Sequence, residues 1–225
     1  MPGAPGRRPA LRRIRPWLRA LPPRRLAQFG AAIVASIGFV IVAAEMRAGA
    51  LDRLDRAVEL AIHRLDARPP DLVMETAAQL GANAVVLPVV AAIMALAIRL
   101  HRRAVALILV IDTIVVIAAY SLLKVMFSRE RPRLFDKVAL PTGYSFPSGH
   151  AMSAVGIYGV VAAALIALYP GARRPVIAAA IALIAMIGLS RIYLGVHWPS
   201  DVIGGFLGGV PPLVVSVHLI HHPRR

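Results

Sequence analysis

The sequence predicts an all-α membrane protein, a helical bundle of six transmembrane helices with one further amphipathic helix at the interface. Three observations carry that prediction. Hydrophobic residues fill 58% of the 225 positions and mean hydropathy is +0.70, too apolar for an ordinary soluble domain. The apolar residues gather into six runs, each near the ~20 residues that a helix needs to cross a bilayer. The basic residues stand at the ends of those runs and form no extended surface interleaved with aromatics. The net charge of +15 therefore reflects membrane topology, and a nucleic-acid partner is not expected.

Taken in order, residues 1–25 read as a basic cytoplasmic tail with eight arginines between Arg7 and Arg25. The first span runs from Leu26 to Ala44. Small residues at Ala48, Gly49 and Ala50 also suit signal-peptide cleavage, but the run exceeds a usual signal core, which favours a retained anchor. Between Leu51 and Leu65, apolar Leu51, Leu54, Val58, Ala61, Ile62 and Leu65 share one helical face. Asp52, Arg53, Asp55, Arg56, Glu59 and Arg64 share the other. This pattern fits a helix lying in the outer membrane interface, and equally a helix packed on the bundle; either would border a lateral entrance for a lipid.

The second span is expected from Thr76 to Ile98, the third from Ala104 to Phe127 and the fourth from Ala151 to Tyr169. The fifth, Val176 to Leu189, is short, so it is extended through Ser190 and Arg191, which would bring Arg191 to a membrane surface. The sixth runs from Val202 to Ile220, completing one membrane domain over 26–220 ahead of a short cytoplasmic tail, 221–225. Within it, Gly204, Gly205, Gly208 and Gly209 form two overlapping pairs of small residues four apart, suited to internal helix packing or, second, to a homodimer. Pro211 and Pro212 are expected to bend the helix. The sequence has no cysteine, which excludes a disulfide framework or thiolate metal site.

Loop charges set the orientation. With the N-terminus inside, the inner segments hold the arginine-rich tail, then Arg99, Arg102 and Arg103, then Arg173 and Arg174, then Arg224 and Arg225. Span parity then brings three polar patches to the outer face: Lys124 with Arg131-Pro132, Pro147-Ser148-Gly149-His150, and Ser190-Arg191 with His197 and Asp201.

Each patch has a chemical reading and a plainer one. Pro147 to His150 precede an apolar helix, where free backbone N–H groups and the positive end of the helix dipole suit an anion; the plainer reading is a simple helix start. Gly149 permits close backbone approach and Ser148 adds a hydroxyl donor. Lys124, Arg131 and Arg191 are costly cations beside apolar spans, and Lys and Arg are phosphate binders. His197 and Asp201, four apart across Pro199, can meet on a first helical turn, so that the carboxylate fixes the imidazole tautomer. The plainer alternative is a surface histidine beside a capping aspartate. Asp112, within the third span, is expected to make an internal polar contact or to stay protonated. Tyr144 and Phe146 either touch substrate or anchor their loop. His218, His221 and His222 fall at the inner end, away from the patches.

Lys124, six residues, then Arg131-Pro132; Pro147-Ser148-Gly149-His150; and Ser190-Arg191, five residues, His197, three residues, Asp201 resemble the three-part signature of the type 2 phosphatidic acid phosphatase superfamily, in its bacterial integral-membrane branch. The resemblance spans Lys124 to Asp201 and matches in residue type, spacing and order. It implies that His197 is the nucleophile, forming a phosphohistidine, with Asp201 as its orienting partner and His150 as general acid. Lys124, Arg131, Ser148, Gly149 and Arg191 would bind phosphate oxygens, and no metal or other cofactor would be needed. The expected function is hydrolysis of a terminal lipid phosphate at the extracytoplasmic face of a bacterial plasma membrane. Phosphatidylglycerophosphate, phosphatidic acid and undecaprenyl pyrophosphate are all compatible, with a slight lean toward the prenyl pyrophosphate or a broad specificity. A lipid phosphotransferase and a lipid-A phosphatase use the same residues; a noncatalytic lipid binder or transporter leaves both histidines unexplained.

Overall fold

A computed structural model describes residues 23–64, 68–135, 138 and 140–221. The expected terminal tails fall outside the described residues, apart from Pro23 to Arg25 and His221. Eight helices and no strand form among the described residues: α1 Pro23–Arg47, α2 Asp52–His63, α3 Arg68–Leu80, α4 Asn83–Arg99, α5 Arg103–Phe127, α6 Gly149–Leu168, α7 Arg173–Tyr193 and α8 Pro199–His221. Five of them, α1 and α5 to α8, are each long and apolar enough to cross a membrane, and α3 with α4, taken as one bent pair, would make a sixth. The outward faces stay greasy, as lipid contact requires: Ile33, Val34 and Val40 on α1 and Leu107, Ile114 and Val125 on α5 are all exposed.

The second span departs from the continuous helix expected from Thr76 to Ile98. It breaks at Gly81-Ala82, where α3 and α4 meet at 54°. The hydropathy of the stretch hides the break. The break is closely packed: a Cβ on Gly81 would lie 2.8 Å from the His150 ring and 2.7 Å from Ile187. The fifth span does extend through Ser190 and Arg191 as α7, but Arg191 is buried in the protein and not laid out at a membrane surface.

The amphipathic stretch also differs from the water-facing polar side expected of an interfacial helix. Helix α2 packs on α7 and α8, burying Asp55 and Glu59 while Leu54 and Leu60 are exposed. Asp55 is held there by partners within the bundle, which sequence periodicity cannot show.

Two local features bring distant patches to one end of the bundle. Helix α8 lies directly against the start of α6: a Cβ on Gly205 would stand 2.6 Å from the Ser148 carbonyl, and Ser148 N–H donates to the Asp201 carbonyl at 3.0 Å. The glycine pairs thus serve internal packing. At the end of α7, Gly195 adopts φ +67°, a left-handed turn that redirects the chain toward His197. Pro211 and Pro212 lie inside α8 without ending it. Asp112 makes the expected internal contact, accepting from Ser216 Oγ at 2.6 Å.

Candidate active site

The site sits where α5 ends, α6 begins, α7 ends and α8 begins. Helix α5 stops at Ser128, whose left-handed conformation (φ 49°) turns the chain so that residues 129–131 cross the end of the bundle. The 143–145 loop then holds two cations by its carbonyls. Lys124 Nζ donates to Tyr144 O at 2.6 Å, while Arg131 Nε donates to Gly143 O at 3.1 Å and Nη2 to Tyr144 O at 3.3 Å. Phe146 secures this loop. It is fully buried, with ring centroids 4.9 Å from Phe127 and 5.6 Å from Phe39, so it is a loop anchor and not a substrate contact. Tyr144 remains exposed.

A cavity of about 220 Å³ opens among these elements. Lys124, Arg131, Gly149, His150, Arg191 and His197 line it, together with Gly81, Ala82, Asn83, Tyr120 and Pro141. Six of the eight site residues expected from the sequence therefore share one wall. The other two are buried outside it. Ser148 caps α6, its Oγ accepting from Ala151 N at 3.4 Å, and Asp201 lies behind His197 with no exposed surface. Asn83 and Tyr120, hydrogen-bonded to each other at 3.1 Å, are lining residues that sequence reasoning missed; only their position beside the helix break marks them.

The hydrogen-bond geometry fixes the imidazole of His197. Arg131 Nη1 lies 3.2 Å from His197 Nε2, and a guanidinium can only donate, so Nε2 accepts and the proton belongs on Nδ1. Nδ1 faces Asp201 Oδ2 at 3.4 Å. Burial, reinforced by the positive charges of Lys124, Arg131 and Arg191, holds His197 well below the usual histidine range. The ring is thus neutral at physiological pH, with a lone pair on the cavity side. Burial likewise draws the Arg131 guanidinium down from its ordinary value, opposed by Asp201.

Three cations on one wall repel each other without an anion between them. Arg191 Nε is buried and makes no hydrogen bond within the protein. The N–H groups of Gly149 and His150 belong to the first turn of a helix, where backbone donors lack intrahelical partners. The cavity therefore has the donor set of an oxyanion site with a neutral imidazole beside it. No group of three or more His, Cys, Asp or Glu side chains suited to a metal occurs among the described residues.

The family model described as the PAP2 superfamily matches residues 103–224. Phosphatidylglycerophosphatase B of Bacillus subtilis is 34% identical over 182 residues, 76% of this chain and 86% of that protein. An undecaprenyl-diphosphatase of Sulfolobus acidocaldarius is 31% identical over 114 residues, 48% of this chain and 52% of its own length. Among solved structures, the transmembrane PAP2-type phosphatidylglycerolphosphate phosphatase of Bacillus subtilis superimposes with a TM-score of 0.81 at 27% identity, covering 86% of this chain and 98% of that one.

Proposed function

Because the chain belongs to the PAP2 superfamily, we propose that it is an integral-membrane lipid phosphatase working through a phosphohistidine on His197. The observation that carries this reading is the single cavity shared by His197, His150, Lys124, Arg131 and Arg191. A lipid phosphate enters with its oxygens among the three cations and the N–H groups of Gly149 and His150. Arg131 releases Nε2, which attacks phosphorus as the bond to the leaving oxygen breaks. His150 gives that oxygen its proton, and Asp201 stabilises the cation forming on His197. His150 then takes a proton from water as the water oxygen displaces Nε2, freeing phosphate and the original imidazole. Metal ions have no part in this route.

The substrate is presented by the bilayer. A second, apolar groove of about 580 Å³, lined by Leu72, Thr76, Leu80, Leu183 and Met186 among others, runs along α3 and α7 up to Leu80, next to the cavity residue Gly81. Phosphatidylglycerophosphate is the first substrate to test, since the relative named for it spans most of both chains. Phosphatidic acid and undecaprenyl pyrophosphate follow. Loop charges support an extracytoplasmic site with both termini inside, and the reading takes the membrane as a bacterial plasma membrane.

The test is phosphate release by the purified protein from these three lipids. Turnover is expected in the wild type, with a loss of at least about 10⁴-fold in His197→Ala, as nucleophile removal produces elsewhere. Unchanged turnover in that variant rejects the nucleophile. Intact spheroplasts given a short-chain substrate should release phosphate without detergent; release that needs detergent reverses the orientation.

A further inference from the structure

We propose that Asp55, on the bundle-packed helix α2, is a positioning residue for this reaction: through Arg129 it sets the carboxylate of Asp201 that orients His197. The inference rests on the phosphohistidine reading above, yet none of the three signature patches contains either residue as a defined position. Arg129 falls in the unspecified gap between Lys124 and Arg131, and Asp55 lies more than seventy residues upstream.

The contacts form an unbroken chain. Asp201 divides its oxygens: Oδ1 accepts from Arg129 Nη1 at 2.6 Å, and Oδ2 accepts from Trp198 N at 2.9 Å while facing His197 Nδ1 at 3.4 Å. The shorter bond to Arg129 therefore fixes where the carboxylate stands relative to the imidazole. Arg129 is itself held by its second nitrogen, Nη2 donating to Asp55 Oδ2 at 2.7 Å, and Nη1 also donates to Ser200 Oγ at 2.7 Å. Asp55 completes the ring by accepting from Ser200 N at 2.8 Å and Ser200 Oγ at 2.5 Å, which ties it to the helix turn that carries Asp201. Asp55 and Asp201 are buried and share one guanidinium.

The shared cation has a consequence for catalysis. With Asp55 charged, Arg129 is neutralised in part before it reaches Asp201, leaving that carboxylate free to stabilise a positive His197. With Asp55 neutral, Arg129 keeps only Asp201 and, at 3.8 Å, the exposed Asp52, so it turns more of its field on Asp201 and the carboxylate serves the imidazole less well. Asp55 touches none of the cavity cations, so phosphate binding is spared.

Asp55→Asn keeps an oxygen for Ser200 N but removes the charge and replaces the acceptor of Arg129 Nη2 by an amide NH2, which cannot accept. It is expected to lower kcat about tenfold, within the coupling found between groups of one hydrogen-bond network, with KM and inhibition by vanadate within about twofold. In the folded protein labelled with nitrogen-15 histidine, the His197 ring signals, assigned with His197→Gln, should move from the Nδ1–H tautomer toward average values. Wild-type ring signals and wild-type kcat in folded Asp55→Asn overturn the inference, as does a loss matched by the unfolded fraction. Should Asp55→Asn not fold, Arg129→Lys carries the same readouts, since one ammonium cannot span two carboxylates as the fork does. If the wild type releases phosphate from no lipid, the functional reading fails, and the ring signals alone still decide the role of Asp55.

Discussion

His197 has two sides of opposite electrical character. In front, facing the cavity, stand Lys124, Arg131 and Arg191 with no carboxylate among the lining residues. Behind it lie Asp201 and Asp55, with Glu59 close enough to feel both charges, and Arg129 is the cation bonded to the two aspartates. The front has an excess of positive charge that a phosphate dianion would balance. The back sets two aspartates against one arginine, and the positive imidazole of a reacting His197 would offset the remaining negative charge. A histidine held between such fields is kept neutral at rest and stabilised once it carries a phosphoryl group, which is what a transient nucleophile requires.

The sharpest way to break this division is to neutralise the back. Asp201→Asn keeps the side-chain size but offers the imidazole no anion and favours the wrong tautomer. A kcat loss approaching about 10⁴-fold is expected, by analogy with the equivalent change in a serine protease triad, with vanadate inhibition retained. Loss of vanadate inhibition in step with kcat would mean that the two sides are not separable. The front should respond differently. Arg191→Lys preserves the charge and removes the planar fork, so a loss of about 10²- to 10³-fold in kcat/KM is expected, the scale of removing one oxyanion donor. Here inhibition by vanadate should weaken in parallel; full inhibition with low turnover would remove Arg191 from the phosphate site.

The two sides also differ in how far they could be read from the sequence. The front was legible because its residues are rare for their setting: a lysine, two arginines and two histidines at the ends of apolar runs, in a recognisable spacing. Parity of spans placed them on one face, and the structure does join Lys124, Arg131, Gly149, His150, Arg191 and His197 in one cavity. The back was not legible. Asp55 and Glu59 belong to a charged helical face that reads equally as solvated surface, and the partners that hold Asp55 inside, Arg129 and Ser200, are not near it in sequence. The bend at Gly81 escaped notice for a related reason. It lies where the His150 ring and Ile187 close in on Gly81, a tertiary contact that hydropathy averages away. The helical membrane fold depends on neither feature, since five single helices are long and apolar enough to cross a bilayer by themselves.

The mildest probe of the back is Glu59, one turn from Asp55 on the same helix. Asp55 has every oxygen satisfied; neither oxygen of Glu59 has a hydrogen-bond partner, and the residue is fully buried. Burial, then the charges of Asp55 and Asp201, push its carboxyl up from 4.5 to about 8, with Arg56 opposing. A carboxyl raised in the folded state binds a proton that the unfolded chain gives up near pH 4.5. Its contribution to stability is thus complete below about pH 4.5 and is lost as pH rises through about 8. Glu59→Gln mimics the protonated form and is expected to leave kcat unchanged at pH 7, because the native group is then already largely neutral. Its effect lies in stability: the wild-type thermal midpoint in detergent should fall by a few degrees between pH 6 and pH 9, and the Gln variant should flatten that slope. An identical slope in both proteins would show that Glu59 is ionised throughout, and that the negative field behind His197 is one full charge stronger than the partnered pair alone provides.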